Sequence, residues 1–513
     1  MKQLIVKKNR YVDSVTLMSV GDKILRMDGI ENAEIQMGTM ANQKLLADLG
    51  YQIPADIKAN DLILAVSGNK KEDLEAAFLR IEDILDHKKG AGDEIVYKDI
   101  REINLTEDGY DLVQISLPGQ YAYEEAEKAL EKGLHVFIFS DNVSLEDELK
   151  LKKAGREKGL IVMGPDCGVG MFGGVCLGVG SIMKKGPVGI VAASGSGAQE
   201  AACIIERCGY GISEIIGTGG RDLTQAIGGI GMLQGMERLL EDEMTKVIVL
   251  VSKLADLTVM EKVLSAADQA EKPIVAVFLG GDETLYKGHK VIPAYSLEEA
   301  ALKSAKILNP ENDIRMQYTE KEIETIVAEE IVRYTAKQKY FRGLYCGGTF
   351  AEEGLIYFGR NIEEIALWSN LDTQYAGKLD DYHKSREHSV LDMGAEDFTS
   401  EAPHPVFDPL IRIRRLKEEL EDEEVAVILL DFITGPGVAG DPFTPVTDII
   451  RSRKGDRHIT YIANICGSDN DPQNITEKKK ILEAAGVIVT GCNYESARLS
   501  GALMKALKRR GQI

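Results

Sequence analysis

Short apolar runs alternate with amphipathic stretches from one end of the chain to the other, and each run closes on a polar or glycine-containing turn. Residues 62–67, Leu-Ile-Leu-Ala-Val-Ser, are one such run. Residues 71–85 follow, with Leu74, Phe78, Ile81 and Leu85 spaced to share one helical face. The stretches from Leu112 to Gly119 and from Val136 to Asp141 repeat the strand-then-turn pattern, and Ser144 to Asp147 reads as a capping box opening the next helix. Strands and helices in alternation predict α/β layers with mainly parallel sheets, whose ligands gather at the carboxyl ends of the strands.

The same pattern divides the chain. Its 513 residues suffice for about three domains. A first unit is expected over residues 1–186. Pro187 opens a second, residues 187–308, with strands at 188–192, 212–216, 247–251 and 274–278. Residues 309–342 are largely charged, carry no strand signal before Gly343, and read as a helical connector. A third unit, residues 343–513, has strands at 343–346, 425–430, 459–463 and 487–490.

Composition then narrows the function classes. A net charge of -21 argues against a nucleic-acid surface, and the basic cluster from Lys505 to Arg510 reads as the solvated face of a final helix. No apolar run reaches the roughly 18 residues of a membrane span, and Lys2, Lys7 and Lys8 flank a short strand rather than a signal core. The cysteines at 167, 176, 203, 208, 346, 466 and 492 are odd in number and lack CxxC spacing. That suits a reduced, cytoplasmic protein better than a disulfide scaffold or a zinc site. The histidines form no HxH or HxxxH pattern, so no metal centre is expected.

Residues 188–202 hold the most specific chemistry. A β-branched strand runs into Ser194-Gly195-Ser196-Gly197 and then into an alanine-rich helix start. Such a turn leaves backbone N–H groups free at the positive end of a helix, where phosphate or an acyl or carbamoyl phosphate fits. The alternative is a turn whose glycines serve packing alone. Residues 425–431 followed by Thr434-Gly435-Pro436-Gly437 read as a divergent partner of that turn. Two such units facing each other would offer two helix N-termini to one anion; chance likeness between common strand-to-helix turns is the alternative.

At this point the motifs resemble a known family. Gly164-Pro165-Asp166-Cys167-Gly168, the Ser194 turn, and Ile216-Gly217-Thr218-Gly219-Gly220-Arg221-Asp222 are similar to turns of the succinyl-CoA synthetase α subunit. The third unit resembles the CoA-ligase domain of its β subunit. Closer still is the FdrA family of fused relatives. Asp13-Ser14-Val15, Gly38-Thr39-Met40-Ala41-Asn42, Phe139 to Glu148, Arg156 to Leu160, Gly343 to Thr349 and Pro403-His404-Pro405-Val406-Phe407-Asp408-Pro409 match its motifs in order.

The resemblance implies a Rossmann-like CoA-binding-type domain over 1–186, followed by two flavodoxin-like CoA-ligase-type domains over 187–308 and 343–513. It also implies a subunit of an oxamate carbamoyltransferase of purine degradation. Such an enzyme interconverts oxalurate and phosphate with carbamoyl phosphate and oxamate, alongside other enzyme subunits. Carbamoyl phosphate or phosphate would be the substrate, and CoA a further ligand. Two other readings stay open: an acyl-CoA ligase, and a non-catalytic scaffold. Two departures from the synthetases stand out. Gly288-His289-Lys290 keeps only Gly-His of the catalytic Gly-His-Ala-Gly-Ala, and no ATP-grasp segment precedes the third unit.

Individual side chains carry paired readings. His289 is either a phosphorylated relay meeting the Ser194 turn or an exposed loop histidine. His404, its backbone restricted by Pro403 and Pro405, is either a donor or general acid toward substrate or the cap of a neighbouring element. Arg221, after Gly219 and Gly220, offers a guanidinium to a carboxylate or makes an ion pair at a helix start, with Asp222 beside it. Gly347, Gly348 and Thr349 join the binding set, as do Gly435 and Gly437 of the second turn. A Cβ at Gly195 is expected to obstruct the anion.

Overall fold

The computed structural model describes residues 1–12, 14–25, 27–86, 99–363, 365–453 and 457–511. Asp13 of the first family motif lies outside them.

The expected single unit over 1–186 is two sheets. Strands Lys2–Lys7, Leu62–Gly68 and Ile30–Met37 form an antiparallel sheet with Leu62–Gly68 in the centre. Helices Ser14–Leu25 and Lys71–Asp86 cover one face through Leu17, Ile24, Leu74, Phe78 and Ile81. Alternation alone does not reveal strand direction, so this part read as Rossmann-like. Strands Leu112–Ile115, His135–Ile138 and Val162–Met163 make a separate small parallel sheet, flanked by helices Gly119–Lys132 and Leu145–Lys158. Ser144 caps the second of these helices, accepting from Asp147 N–H at 3.1 Å.

Two seven-stranded sheets follow. In the first the order is Ile292–Ala294, Ile274–Leu279, Val247–Lys253, Lys185–Ala192 and Ile212–Gly217, all parallel. Val169–Phe172 and Val175–Gly178 then add antiparallel at the edge. The second runs Gly377–Lys378, Leu367–Ser369, His388–Asp392, Tyr340–Tyr345, Val425–Ile433, Thr460–Cys466 and Val487–Thr490, parallel throughout. In the first sheet's parallel part the first strand lies between the second and third, the flavodoxin-like order. In the second, Tyr340–Tyr345 lies between His388–Asp392 and Val425–Ile433, with two short strands added outside, so each has a point where strand order reverses. The 309–342 stretch holds helix Glu320–Ile331, opened by a Thr319–Glu322 capping box, and its end enters the second sheet at Tyr340.

The two large domains dock around an approximate twofold relation. Helix Gly195–Arg207 of the first and helix Gly348–Asn361 of the second lie between the sheets. Gln199, Cys203 and Arg207 cover strand ends of the second sheet: Gln199 donates to Thr434 O at 2.8 Å, Cys203 meets Cys466, and Arg207 donates to Ile465 O and Gly491 O. Glu352, Ile356 and Arg360, at the matching helical positions, cover the first: Glu352 pairs with Lys253, Ile356 lies by Gly280, and Arg360 donates to Gly280 O. Glu200 accepts from Asn493 N–H at 2.9 Å, capping helix Asn493–Arg509. Glu353 accepts from Leu297 N–H at 2.9 Å, capping helix Leu297–Leu308. Each domain thus caps a helix of the other. Among the described residues no helix is long and apolar enough to cross a membrane.

Candidate functional site at the domain interface

The buried strand Lys185–Ala192 delivers Ser194 to the carboxyl edge of its sheet. Ser194 is the N-cap of the Gly195 helix and accepts from Gly197 N–H at 3.0 Å. Among the described residues nothing accepts from the N–H groups of Gly195 and Ser196, which are only partly buried. Gly195 is not the crowded position. A Cβ there would meet Val169 at an ordinary 3.6 Å, whereas one at Gly197 would come within 2.6 Å of Ser194 Oγ.

Across the boundary Ser194 Oγ lies 2.6 Å from Thr349 Oγ1, in the first turn of the Gly348 helix. Two helix N-termini therefore meet, as the sequence suggested, but the partner is Gly347-Gly348-Thr349 and not the 434–437 turn. Thr434 to Gly437 opens no helix, since the next one is Thr444–Ser452. Added Cβ atoms at Gly435 and Gly437 would fall 2.7 Å from Val179 O and 2.6 Å from Gly178 O. Those glycines serve close backbone packing, so their assignment to an anion is corrected.

The backbone leading into the Gly348 helix is occupied, whereas the N–H groups of Gly348 and Thr349, like those of Gly195 and Ser196, have no acceptor among the described residues. Asp431 accepts from Cys346 N–H at 2.7 Å and Gly347 N–H at 2.8 Å, and Arg412 pairs with it at 2.5 Å. Asp392 Oδ2 would lie 2.5 Å from a Cβ at Gly348. Burial raises the pKa of Asp392 to about 6, against the pull of Gly394 N–H and Lys253. Lys253 closes the other side, its Nζ 2.6 Å from Glu352. Burial holds the Cys346 thiol well above its usual pKa, so it has no thiolate to offer.

His404 sits at the rim of this cluster. Its Nδ1 accepts from Val406 N–H at 3.2 Å, which leaves the ring proton on Nε2, facing Gly394 beside Cys346 O. Burial, helped by Arg412, lowers its pKa to about 4. A neutral imidazole at pH 7 can donate a hydrogen bond but is not the general acid that the sequence suggested.

Arg221 and Asp222 are structural. Arg221 pairs with Glu148 at 2.8 Å and donates to Val143 O at 2.9 Å. Asp222 is buried, holds Lys152 at 2.8 Å and caps helix Ile230–Glu241 through Gly231 and Met232 N–H. Gly219, at φ 81°, brings the backbone against Pro165 O, and Gly220 leaves open space. The guanidinium is committed to the neighbouring small-sheet unit, through Glu148 and Val143.

His289 is remote from the Ser194 turn. It precedes strand Ile292–Ala294, at the amino edge of the sheet, and bonds Asp268 at 2.9 Å and Glu261 at 3.3 Å. Burial opposes its protonation, but those carboxylates outweigh it and raise its pKa. A relay to the carboxyl edge is excluded by position. Lys253, Asp392, Asp431 and Arg412 escaped the sequence reading; Asp392 and Asp431 were marked only as acids within or closing apolar runs.

Comparison with known proteins gives this geometry a family. YahF of Escherichia coli (strain K12) is 36% identical over 506 residues, covering 97% of this chain and 98% of YahF. The chain belongs to the YahF family. The family descriptions that match are AllF, heavy metal-associated domain, over residues 1–98; CoA binding domain over 183–280; and CoA-ligase over 344–503. This YahF-family chain is therefore a fused, succinyl-CoA synthetase-like protein with a mixed α/β fold. Residues 1–98 contain no cysteine. The ADP-forming sulfoacetate-CoA ligase subunit SqwL of an Acholeplasma species is 28% identical over 35% of the chain and 62% of its own length. The α subunit of the ADP-forming succinate–CoA ligase of Methanothermobacter thermautotrophicus is 26% identical over 36% and 62%. The chain spans less than two thirds of these two relatives.

Proposed function

We propose that the protein catalyses acyl transfer between an acyl phosphate and CoA, with the phosphate held at the Ser194 turn. The observation carrying this reading is the pair of free N–H groups of Gly195 and Ser196, opposed across the domain boundary by a second helix N-terminus. In the reaction the CoA sulfur bonds to the acyl carbon, the carbon–oxygen bond to phosphate breaks, and the thiol proton is released. The N–H groups stabilise the leaving phosphate, so no nucleophilic side chain is required. His404 Nε2–H is a candidate donor to the acyl oxygen. The similarity to CoA ligases supports acyl-CoA chemistry over the carbamoyl transfer that the FdrA resemblance implied, although carbamoyl phosphate is an anhydride of the same class. Formation of acyl phosphate from ATP would fall to a partner subunit.

The test mixes the full chain with CoA and acetyl, succinyl or carbamoyl phosphate and follows thioester formation by mass spectrometry. Thioester from an acyl phosphate is the expected result. Phosphorolysis of oxalurate with no thioester from any donor would overturn this reading in favour of carbamoyl transfer.

A further inference from the structure

We infer that Lys253 is the cation that receives the phosphate group at the Ser194 turn, exchanging Glu352 for it. The inference rests on the acyl phosphate reading and identifies a residue that the sequence motifs did not.

Position argues first. Strands Lys185–Ala192 and Val247–Lys253 are neighbours at the point where strand order reverses, which is where such sheets bind ligands. Ser194 follows one strand and Lys253 ends the other. Ala193 N–H donates to Val251 O at 2.9 Å, which holds the two strand ends together. The Lys253 side chain is 38% exposed and can reorient without unburying core. Its charge is felt by Asp392 beneath Gly348, so the ammonium lies within electrostatic range of the second helix N-terminus as well.

The approximate symmetry argues second. Gln199, matching Glu352, docks its helix onto the other domain with a neutral amide that donates to Thr434 O. Docking at this position therefore needs no charge. The Lys253–Glu352 pair puts charge where the other half has the neutral Gln199, and it lies at the strand end tied to the Ser194 turn by the Ala193–Val251 bond. A phosphate dianion is a stronger partner for an ammonium than a single carboxylate that is partly solvated.

Calorimetric titration of inorganic phosphate and acetyl phosphate into the full chain tests this, alongside Lys253→Met, Lys253→Gln, Lys253→Arg and Glu352→Gln, with a thermal unfolding curve for each. The two neutral lysine variants should bind phosphate about tenfold more weakly, with unfolding unchanged. Lys253→Arg should restore most of the affinity, and Glu352→Gln should tighten binding by freeing the ammonium. Unchanged affinity in the neutral variants, or a loss in Glu352→Gln matching theirs, would overturn the inference while leaving the acyl phosphate reading in place. No phosphate binding by the unaltered protein would overturn both.

Discussion

The two large domains place a strand-to-helix turn at the same point of a matching core of strands, yet one turn is closed at its entry by a buried carboxylate and the other is left open there. In the second domain the N–H groups of Cys346 and Gly347 are consumed by Asp431, whose charge Arg412 neutralises. In the first domain the matching Ala193 N–H donates to the backbone at Val251 O, no carboxylate among the described residues reaches the turn, and the nearby charge is the partly exposed Lys253. The first-turn N–H groups of both helices have no acceptor among the described residues. The duplicated architecture thus carries a buried aspartate–arginine anchor in one copy and a partly exposed lysine in the other. The difference lies in a single strand position: an aspartate reaching back to its neighbour's turn fills it from within.

Breaking the closed turn should have the largest effect. Asp431→Ala strands the buried Arg412 guanidinium and two backbone donors, and should destabilise the full chain by about 3–5 kcal/mol in denaturant titration. A loss below about 1 kcal/mol would show that the turn is not held by this pair.

The interface between the domains should be pH-sensitive. Burial raises Glu298 and Glu353 to about 7, with Glu495 and Glu200 among the neighbouring charges that add to the shift. A carboxyl whose folded pKa exceeds its unfolded value favours folding when protonated. Stability should therefore be highest near pH 5 and fall as pH rises toward 8, by roughly 3 kcal/mol per group if each acts alone. Glu298→Gln should flatten this slope. An unaltered slope in that variant would remove Glu298 from the titration.

Smaller changes probe the open turn. Gly197→Ala should displace the Ser194 hydroxyl from both Gly197 N–H and Thr349, while Ser194→Ala removes it outright; each should cost about 1 kcal/mol in urea unfolding. Gly195→Ala should be milder still, within about 0.5 kcal/mol, because its Cβ would make only ordinary contacts. If Gly195→Ala unfolds the protein more than Gly197→Ala, the account of which glycine is crowded is wrong.

Much of this was legible along the chain. Eight of the strands of the two large domains and the turn at Ser194 follow from local periodicity and turn chemistry, because burial on both faces of a parallel strand demands an apolar run. His388–Asp392 and the short edge strands were missed. The antiparallel start of the chain did not show, since periodicity is blind to strand direction. The pairing of turns was half legible: the sequence suggested that two helix N-termini oppose each other, but chose residues 434–437 over Gly347, Gly348 and Thr349.

What the sequence determined by itself was most of the core elements and the strand-to-helix turn at Ser194, both local properties of short segments. Which side chains reach that turn was decided by the tertiary structure. Asp431, Arg412 and Asp392 meet through the strand order of the second sheet, and Lys253 meets Glu352 only because the two sheets dock through each other's helices. Arg221 and His289, which sequence proximity to glycines recommended, were spent elsewhere, Arg221 on the small-sheet unit and His289 on carboxylates of its own domain. A buried or half-buried charge takes the nearest partner of opposite sign, and only the folded chain decides which partner is nearest.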